Sequence, residues 1–333
     1  MGLDIRAVQE GDEEQVARFY YRAAGVSSPP EYWRWKYFES PAGAAAVFIA
    51  LDHNQIVGRF GILPIKARIN GKEVLAAEVV DGDVLQSYRK GGLLFELVAS
   101  ARQAAMEKGT RFEFGFGPQE KTAIGFRTLG AGLVAPVHRV VKIVFPLISA
   151  LAGAAATNVQ VKEIRYFDPS FDELWKKWRG GEIAVVRDSA YLNWRYLKCP
   201  VADYKVFTAE RSGELSGFAV LEIFNRGWLR CGNIVDIFSS QDDEVPASLL
   251  LAAIRYFAQR GVLVAIAWVP QHSSLLPVFR EMGFHSFPSW VNIGARSCQE
   301  QEIPQTYLED ERHWHYAIGD KDYFPAIRRM NWK

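Results

Sequence analysis

Hydrophobic and polar residues alternate along residues 47–63, on both sides of an Asp-His-Asn-Gln turn. Alternation around a turn of this kind predicts an antiparallel β-hairpin. An apolar stretch at 74–85 predicts the next strand. Leucine, valine and alanine then recur at helical spacing through 93–105, and Gly109 is placed to end that helix. The order predicts a mixed β-sheet with helices on its faces.

The chain contains an internal repeat. The segment EYWRWKYFESP at 31–41 matches AYLNWRYLKCP at 190–200, at an offset of 159 residues. The same offset pairs Gly58 with Gly217, and the offset falls to 152 where Gly109 corresponds to Gly261. A repeat of this length indicates a duplicated structural unit.

The length of 333 residues also favours two domains. We predict an α/β fold made by tandem duplication of one mixed-sheet domain flanked by helices. The expected boundaries are a first domain at 1–148, an apolar connector at 149–161, a second domain at 162–298 and a C-terminal extension at 299–333.

Charge and cysteine content narrow the classes of function. The net charge of +1 gives no field that would steer the chain onto nucleic acid. Three cysteines stand far apart in the sequence, which argues against a disulfide framework or a metal site. The polar N-terminus lacks the apolar core of a signal peptide, so we expect a cytoplasmic protein.

Residues 143–161 carry no charge, but Pro146, Gly153 and polar residues interrupt the run. Its apolar part is shorter than the roughly 20 residues that a membrane span needs. We therefore expect no span, and contact with a membrane surface stays open.

The stretch VLQSYRKGGLLFEL at 84–97 combines a strand end, a basic turn with two glycines and the start of a helix. The first N–H groups of a helix lack intrahelical acceptors and lie at the positive end of the helix dipole. Gly91 and Gly92 let a ligand approach the backbone. The stretch is therefore a candidate site for a phosphate or pyrophosphate.

This stretch resembles motif A of the GNAT N-acyltransferase superfamily, which binds the pyrophosphate of coenzyme A. The matching positions are Val84, Tyr88, Arg89 and Gly92. The departures are Gln86 for a proline, Lys90-Gly91 for Gly-Lys, Leu94 for a small residue, and Phe126 for the tyrosine that protonates the leaving thiolate. The resemblance implies acetyl-CoA as acyl donor and these cofactor-binding residues: Val84, Leu85, Arg89, Lys90, Gly91, Gly92, Leu93 and Leu94.

The second copy lacks the loop. Its corresponding stretch, FSSQDDEVPASLLL at 238–251, has three consecutive acids where the first copy has arginine and glycine. Acids there would repel a pyrophosphate. We therefore expect one coenzyme A per chain, bound by the first copy.

The resemblance also implies a mechanism. The pantetheine arm would lie along the strand that ends at Val84 and Leu85. A carboxylate or a water chain would take the proton of the attacking amine. Glu78, eleven residues before Arg89, and Asp81 are the candidate bases. In the tail, which belongs to neither copy, we expect Tyr316 or Asp320 to contact the acceptor.

The leading hypothesis is an N-acyltransferase that moves an acetyl group from acetyl-CoA to a primary amine of a small molecule or sugar. One alternative is a Fem-like aminoacyl transferase that uses charged tRNA. Another is a non-catalytic ligand-binding or assembly protein with a decayed GNAT site. Neither the acceptor, the acyl chain length nor the oligomeric state follows from the residues.

Overall fold

The computed structural model describes residues 3–118, 127–145, 158–239, 244–287 and 289–322. In chain order the strands are β1 (Asp4–Ala7), β2 (Ala46–Asp52), β3 (Gln55–Ile69), β4 (Lys72–Val84), β5 (Phe112–Pro118), β6 (Gly132–Pro136), β7 (Arg139–Ile143), β8 (Val159–Ile164), β9 (Ile183–Val185), β10 (Lys205–Arg211), β11 (Glu214–Arg226), β12 (Leu229–Ser239), β13 (Val264–Trp268), β14 (His285–Phe287) and β15 (Val291–Ser297).

The α-helices in chain order are α1 (Glu13–Ala24), α2 (Pro30–Phe38), α3 (Leu93–Glu107), α4 (Ser170–Lys177), α5 (Ser189–Leu192), α6 (Glu244–Gln259), α7 (Leu275–Glu281) and α8 (Gln305–Leu308). A π-helical turn at Asn193–Leu197 continues α5, and 3-10 turns occur at Gln86–Gly91, Glu311–His313 and Ile318–Asp320. Among the described residues, no helix has the length and apolar character needed to cross a bilayer.

The chain forms two compact units. The first consists of residues 1–135, 199–201 and 291–310, and the second of residues 136–198, 202–290 and 311–333. The first unit has a sheet in the order β1-β2-β3-β4-β5-β15-β6, and the second a sheet in the order β14-β7-β13-β12-β11-β10-β8. Each sheet is mixed, because β4/β5 and β12/β13 are parallel pairs among antiparallel ones. The predicted α/β class with mixed sheets is confirmed.

The local patterns produce the elements that they predict. The turn between β2 and β3 has positive φ at both His53 (46°) and Asn54 (62°), as a two-residue hairpin turn requires. Helix α3 buries the apolar stripe that the sequence places on one face: Leu93, Leu97, Val98, Ala101 and Ala105. Close packing holds α3 against β3, where a Cβ on Gly58 would lie 3.1 Å from Leu97 Cδ1.

Two strands lie outside the sheet of their own repeat. β7 follows β6 in sequence, yet it lies between β13 and β14 in the second unit. β15 follows β14, yet it lies beside β5 in the first unit. The first residues of β7 and β15, Arg139 and Val291, are separated by the repeat offset of 152 residues, so the two repeats exchange equivalent strands.

The compact units therefore divide the chain differently from the expected boundaries of 1–148 and 162–298. The periodicity of a strand shows which of its faces is apolar but not which neighbouring strand it pairs with. Most of the expected connector lies outside the described residues, and β8 begins within its last residues, at Val159.

Candidate active site

The loop between β4 and α3 is short and anchored. The 3-10 turn at Gln86–Gly91 fills it, and Gly92, with a φ of 79°, starts α3. This φ lies in the left-handed region that favours glycine. The Tyr88 hydroxyl donates a hydrogen bond to Asp52 Oδ2 at 2.5 Å, which ties the loop to the end of β2.

The loop has the features of an anion site. Arg89 and Lys90 are exposed, and a Cβ placed on Gly91 or Gly92 would meet no heavy atom within 4 Å. Within the described chain no side chain caps the N-terminus of α3. The first N–H groups of this 15-residue helix therefore have no side-chain acceptor there, and they lie at the positive end of its dipole.

The two leucines of the motif pack inward. Leu93 is buried in the core beneath α3, and Leu94 is partly buried against the same cluster. The bulk of Leu94, which replaces a small residue of the GNAT motif, is thus accommodated by the core. Leu94 therefore does not fill the space beside Gly91 and Gly92 on the exposed side of the loop.

Strands β4 and β5 separate next to this loop. In the described residues they pair at only two positions, Ala77 with Glu113 and Glu78 with Phe114, although β4 continues to Val84. A bulge in β4 shifts the register between the Gly61–Val80 and Arg59–Asp83 pairs. The backbone of β4 beyond Glu78 therefore borders a gap between two parallel strands.

Backbone hydrogen bonds decide which residue at the end of β4 can face this gap. The Leu85 N–H donates to the Val57 carbonyl at 2.9 Å and is directed towards β3. Because successive N–H groups of a strand alternate in direction, the Val84 N–H is directed towards the gap. Arg89 Nε donates to the Val84 carbonyl at 3.0 Å, on this same side.

Glu78 lies where the two strands separate. Its side chain is on the face of β4 opposite α3, because its neighbour Ala77 belongs to the core cluster under that helix. Glu78 is the register partner of Leu63 on the neighbouring strand β3, and it is only 3% exposed. A buried carboxylate at the mouth of a gap is suitably placed to accept a proton from a bound substrate.

Asp81 is engaged in a buried charged cluster. Its carboxylate contacts Lys36 Nζ at 2.7 Å and Arg59 at 3.2 Å, and it accepts a hydrogen bond from the Tyr37 hydroxyl at 2.8 Å. Burial alone raises the pKa of Asp81, but the charges of Arg59 and Lys36 outweigh it, and the net pKa is lowered. An ionised carboxylate with three donors is a weak base, so the contacts of Asp81 are those of a structural group.

The second unit repeats this contact. Tyr196 is the counterpart of Tyr37, and its hydroxyl donates to Asp236 Oδ2 at 2.8 Å. Asp236 also pairs with Arg187 at 3.0 Å and lies at a bulge of β12. The second copy lacks the basic glycine loop in its sequence, yet it keeps the tyrosine–aspartate bond.

Sequence reasoning missed the cations and rings that surround Asp81. The Arg59 guanidinium lies 4.4 Å from the Trp33 ring centroid and 4.9 Å from that of Tyr20, with no exposed side-chain surface. A signal for the cluster was present, because Tyr37 and Asp81 recur in the second copy as Tyr196 and Asp236. A tyrosine and an aspartate that are both kept in the two copies indicate that the two side chains contact each other.

Tyr316 and Asp320 are buried in the second unit with protein partners. Asp320 contacts Arg187 at 2.8 Å and accepts a hydrogen bond from the Ala317 N–H at 2.8 Å. The Tyr316 oxygen accepts a hydrogen bond from the His138 N–H at 3.0 Å, and burial raises the pKa of its hydroxyl. These contacts hold the tail within its unit. Phe126 lies outside the described residues.

Comparisons with known proteins agree with this geometry. Residues 4–128 match the family model described as an acetyltransferase (GNAT) domain. No curated protein sequence matches the chain.

Solved structures with the same fold span both units. A probable N-acyltransferase of unknown function from Enterococcus faecalis superposes with a TM-score of 0.66 at 10% identity, covering 91% of this chain and 74% of its own. A GCN5-related N-acetyltransferase from Anabaena variabilis has a TM-score of 0.64 at 13% identity, with coverages of 89% and 73%. Yeast N-myristoyltransferase, solved with myristoyl-CoA, has a TM-score of 0.61 at 12% identity, with coverages of 88% and 82%.

The mixed sheet, the separated parallel strands and the glycine loop define an acyltransferase-like fold. The family match at residues 4–128 and the fold shared with solved N-acyltransferases support the GNAT superfamily. The resemblance inferred from the loop is thus confirmed, and the family and fold support an acyltransferase that uses an acyl-CoA donor.

Proposed function

We propose that this protein is an N-acyltransferase that moves an acetyl group from acetyl-CoA to a primary amine of a small molecule or sugar. The observation that carries the proposal is the gap between β4 and β5, bordered by the exposed N-terminus of α3. A parallel pair that opens beside a helix N-terminus can hold a thioester arm and its phosphates together. No observation favours either alternative, the tRNA-dependent transferase or the non-catalytic protein.

Donor binding follows from the loop. The N–H groups from Gly92 to Leu94 would hold the pyrophosphate, with the positive charges of Arg89 and Lys90 beside it. The pantetheine arm would extend along β4 and accept a hydrogen bond from the Val84 N–H. We assign the backbone contact to Val84 because the Leu85 N–H is already engaged by Val57.

The chemistry needs a base and an oxyanion donor. The neutral amine attacks the thioester carbonyl carbon, and a backbone N–H of β4 stabilises the resulting oxyanion. Glu78 takes the amine proton, directly or through a water. The carbon–sulfur bond then breaks, and the thiolate leaves with the electron pair.

Titration calorimetry with acetyl-CoA tests the donor site. We expect one molecule bound per chain, and Arg89→Glu should weaken binding at least about tenfold, since it places a like charge beside the phosphates. Arg18→Glu is the matched control, because Arg18 is an exposed arginine on α1 (70% exposed side chain). Two bound molecules per chain, or equal affinity in Arg89→Glu and wild type, would contradict the assignment.

Release of free thiol in a panel of amines then identifies the acceptor. Replacing Tyr316 or Asp320 tests whether either residue contacts the acceptor. A contact requires that the replacement change the KM for the amine without lowering the melting temperature. Their buried partners lead us to expect a loss of stability instead. Donors with longer acyl chains, run in the same assay, would define the acyl group.

A further inference from the structure

Three segments of the second unit meet along the edge of its sheet that the strand ends form, not along an outer strand: residues 142–145, 225–230 and 259–264. The Leu263 N–H donates to the Arg230 carbonyl at 2.9 Å, and the Val144 N–H donates to the Leu263 carbonyl at 2.9 Å. These two bonds link the end of β7, the start of β12 and the residue before β13. The side chains of the three segments are therefore close neighbours.

This edge exposes large apolar side chains. Trp228 is 89% exposed, Ile143 63%, Phe145 59% and Leu263 37%. A two-residue turn between β11 and β12, with Gly227 at a φ of 58°, presents Trp228 at the hairpin tip. Single exposed apolar residues are ordinary, but several that lie together usually mark an interaction surface.

The same edge is basic. Arg226, Arg230 and Arg260 are exposed, and none of the three segments contains an aspartate or glutamate. Lys142 adds positive charge within the first segment. The edge is therefore positive although the whole chain has a net charge of only +1. We call Ile143, Phe145, Trp228, Leu263 and the arginines 226, 230 and 260 the basic apolar edge.

Tryptophan and arginine beside exposed aliphatic residues match the chemistry of a membrane interface. Tryptophan rings favour the headgroup region, and long basic side chains reach lipid phosphates while their stems contact apolar surface. Anionic lipids attract basic residues by electrostatics that acts within about a Debye length. Nucleic acid would use the arginines but gives no reason to expose Ile143 and Phe145.

We propose that the basic apolar edge docks on the surface of an anionic lipid bilayer, with Trp228 inserted among the headgroups and the arginines paired with lipid phosphates. Docking of this kind needs no spanning helix. The proposal is independent of the donor site, which belongs to the first unit.

Co-sedimentation of the full chain with vesicles tests the proposal. We expect strong binding to phosphatidylcholine vesicles that contain phosphatidylglycerol, weak binding to pure phosphatidylcholine, and release at high salt. Arg226→Glu combined with Arg230→Glu should lower the partition coefficient at least about 30-fold, given the usual contribution of each basic residue near an anionic surface. Trp228→Ala should lower it measurably and abolish any blue shift of tryptophan fluorescence on binding.

Matched controls are Tyr166→Ala, an exposed aromatic elsewhere in the second unit (65%), and Arg18→Glu in the first. Unchanged melting temperatures would show that the variants fold, as expected for an exposed hairpin tip. Equal binding to neutral and anionic vesicles, or wild-type binding by Trp228→Ala, would overturn the proposal. The proposal would also be overturned if the wild type does not bind vesicles but binds nucleic acid or self-associates, and these variants lose that binding.

Discussion

At the residue scale, Glu78 differs from the other acids of β4 in its surroundings. Asp81 and Asp83 both contact the Arg59 guanidinium, at 3.2 and 3.1 Å. Glu78 instead lies at the last paired position of β4 and β5, where the gap begins. We propose Glu78 as the base on this position, because a base must reach the proton that it removes.

Glu78→Gln should lower kcat by about 10²–10⁴-fold, since a neutral amide cannot accept the amine proton. Acetyl-CoA affinity should change little, because the substitution does not touch the loop. Steady-state kinetics together with calorimetry separates the two quantities. Glu73→Gln, an exposed acid at the start of the same strand, is the control. A kcat close to wild type in Glu78→Gln would exclude Glu78 as the base.

At the scale of elements, an aromatic helix holds the bulge of each long strand in place. α2 supplies Lys36 and Tyr37 to Asp81, whose φ of 56° is uncommon for a non-glycine residue. The π-helical turn after α5 supplies Tyr196 to Asp236 in the same way. The bulge of β4 lies beside the gap between β4 and β5. The contacts from α2 therefore help to fix the part of the β4 backbone that would face the donor.

Asp81→Asn should reduce the free energy of unfolding by about 3–5 kcal/mol, because it removes the buried carboxylate that contacts Lys36 and one of the two carboxylates that contact Arg59. Asp236→Asn should also lower the free energy of unfolding, but Arg187 keeps its second buried carboxylate, Asp320, at 2.8 Å. Asp83→Asn, which removes a more exposed partner of Arg59 (33% exposed side chain), should cost less. Denaturant unfolding of the three variants measures these differences, and an Asp81→Asn as stable as Asp83→Asn would contradict the cluster's role.

The pH dependence has a defined sign. The pKa of Asp81 is lowered in the folded protein, so its stabilising contribution is fully present above the ordinary carboxyl pKa. The contribution is lost as the pH falls through the lowered value of the folded state. Acid should therefore destabilise the wild type more than Asp81→Asn, and the difference between them should vanish at the lowest pH.

At the scale of the whole molecule, each unit's sheet depends on a strand from the other repeat. β15 pairs with β5 over seven positions, from Val291–Pro118 to Ser297–Phe112. β7 pairs with both β13 and β14 in the second unit. A cut between the repeats therefore removes a strand next to the parallel pair of each sheet.

A fragment of residues 1–148 should fail to unfold cooperatively, since it lacks β15 and leaves β5 with an open edge. Residues 1–135 joined to 291–310 by a short glycine–serine linker should regain a cooperative transition. Circular dichroism during heating, with size-exclusion chromatography, compares the two fragments. Equal melting behaviour in both would show that the exchanged strand is dispensable.

The sequence by itself determined most of the elements, the repeat and the location of the basic glycine loop. These depend on local signals: the apolar stretches on both sides of the turn at His53 and Asn54, the helical spacing from Leu93 to Ala105, and the glycines before α3. Such signals can be recognised without knowledge of distant contacts, because each reflects the geometry of a few neighbouring residues.

Only the tertiary structure decided which strands pair and which charges surround each acid. Asp81 and Glu78 look alike in sequence, yet Lys36 and Arg59 surround one of them and the gap borders the other. Tyr316 and Asp320, polar in sequence, turn inward to partners far along the chain. Burial and pairing depend on long-range contacts, and a carboxylate's chemistry follows from the charges that the fold brings to it.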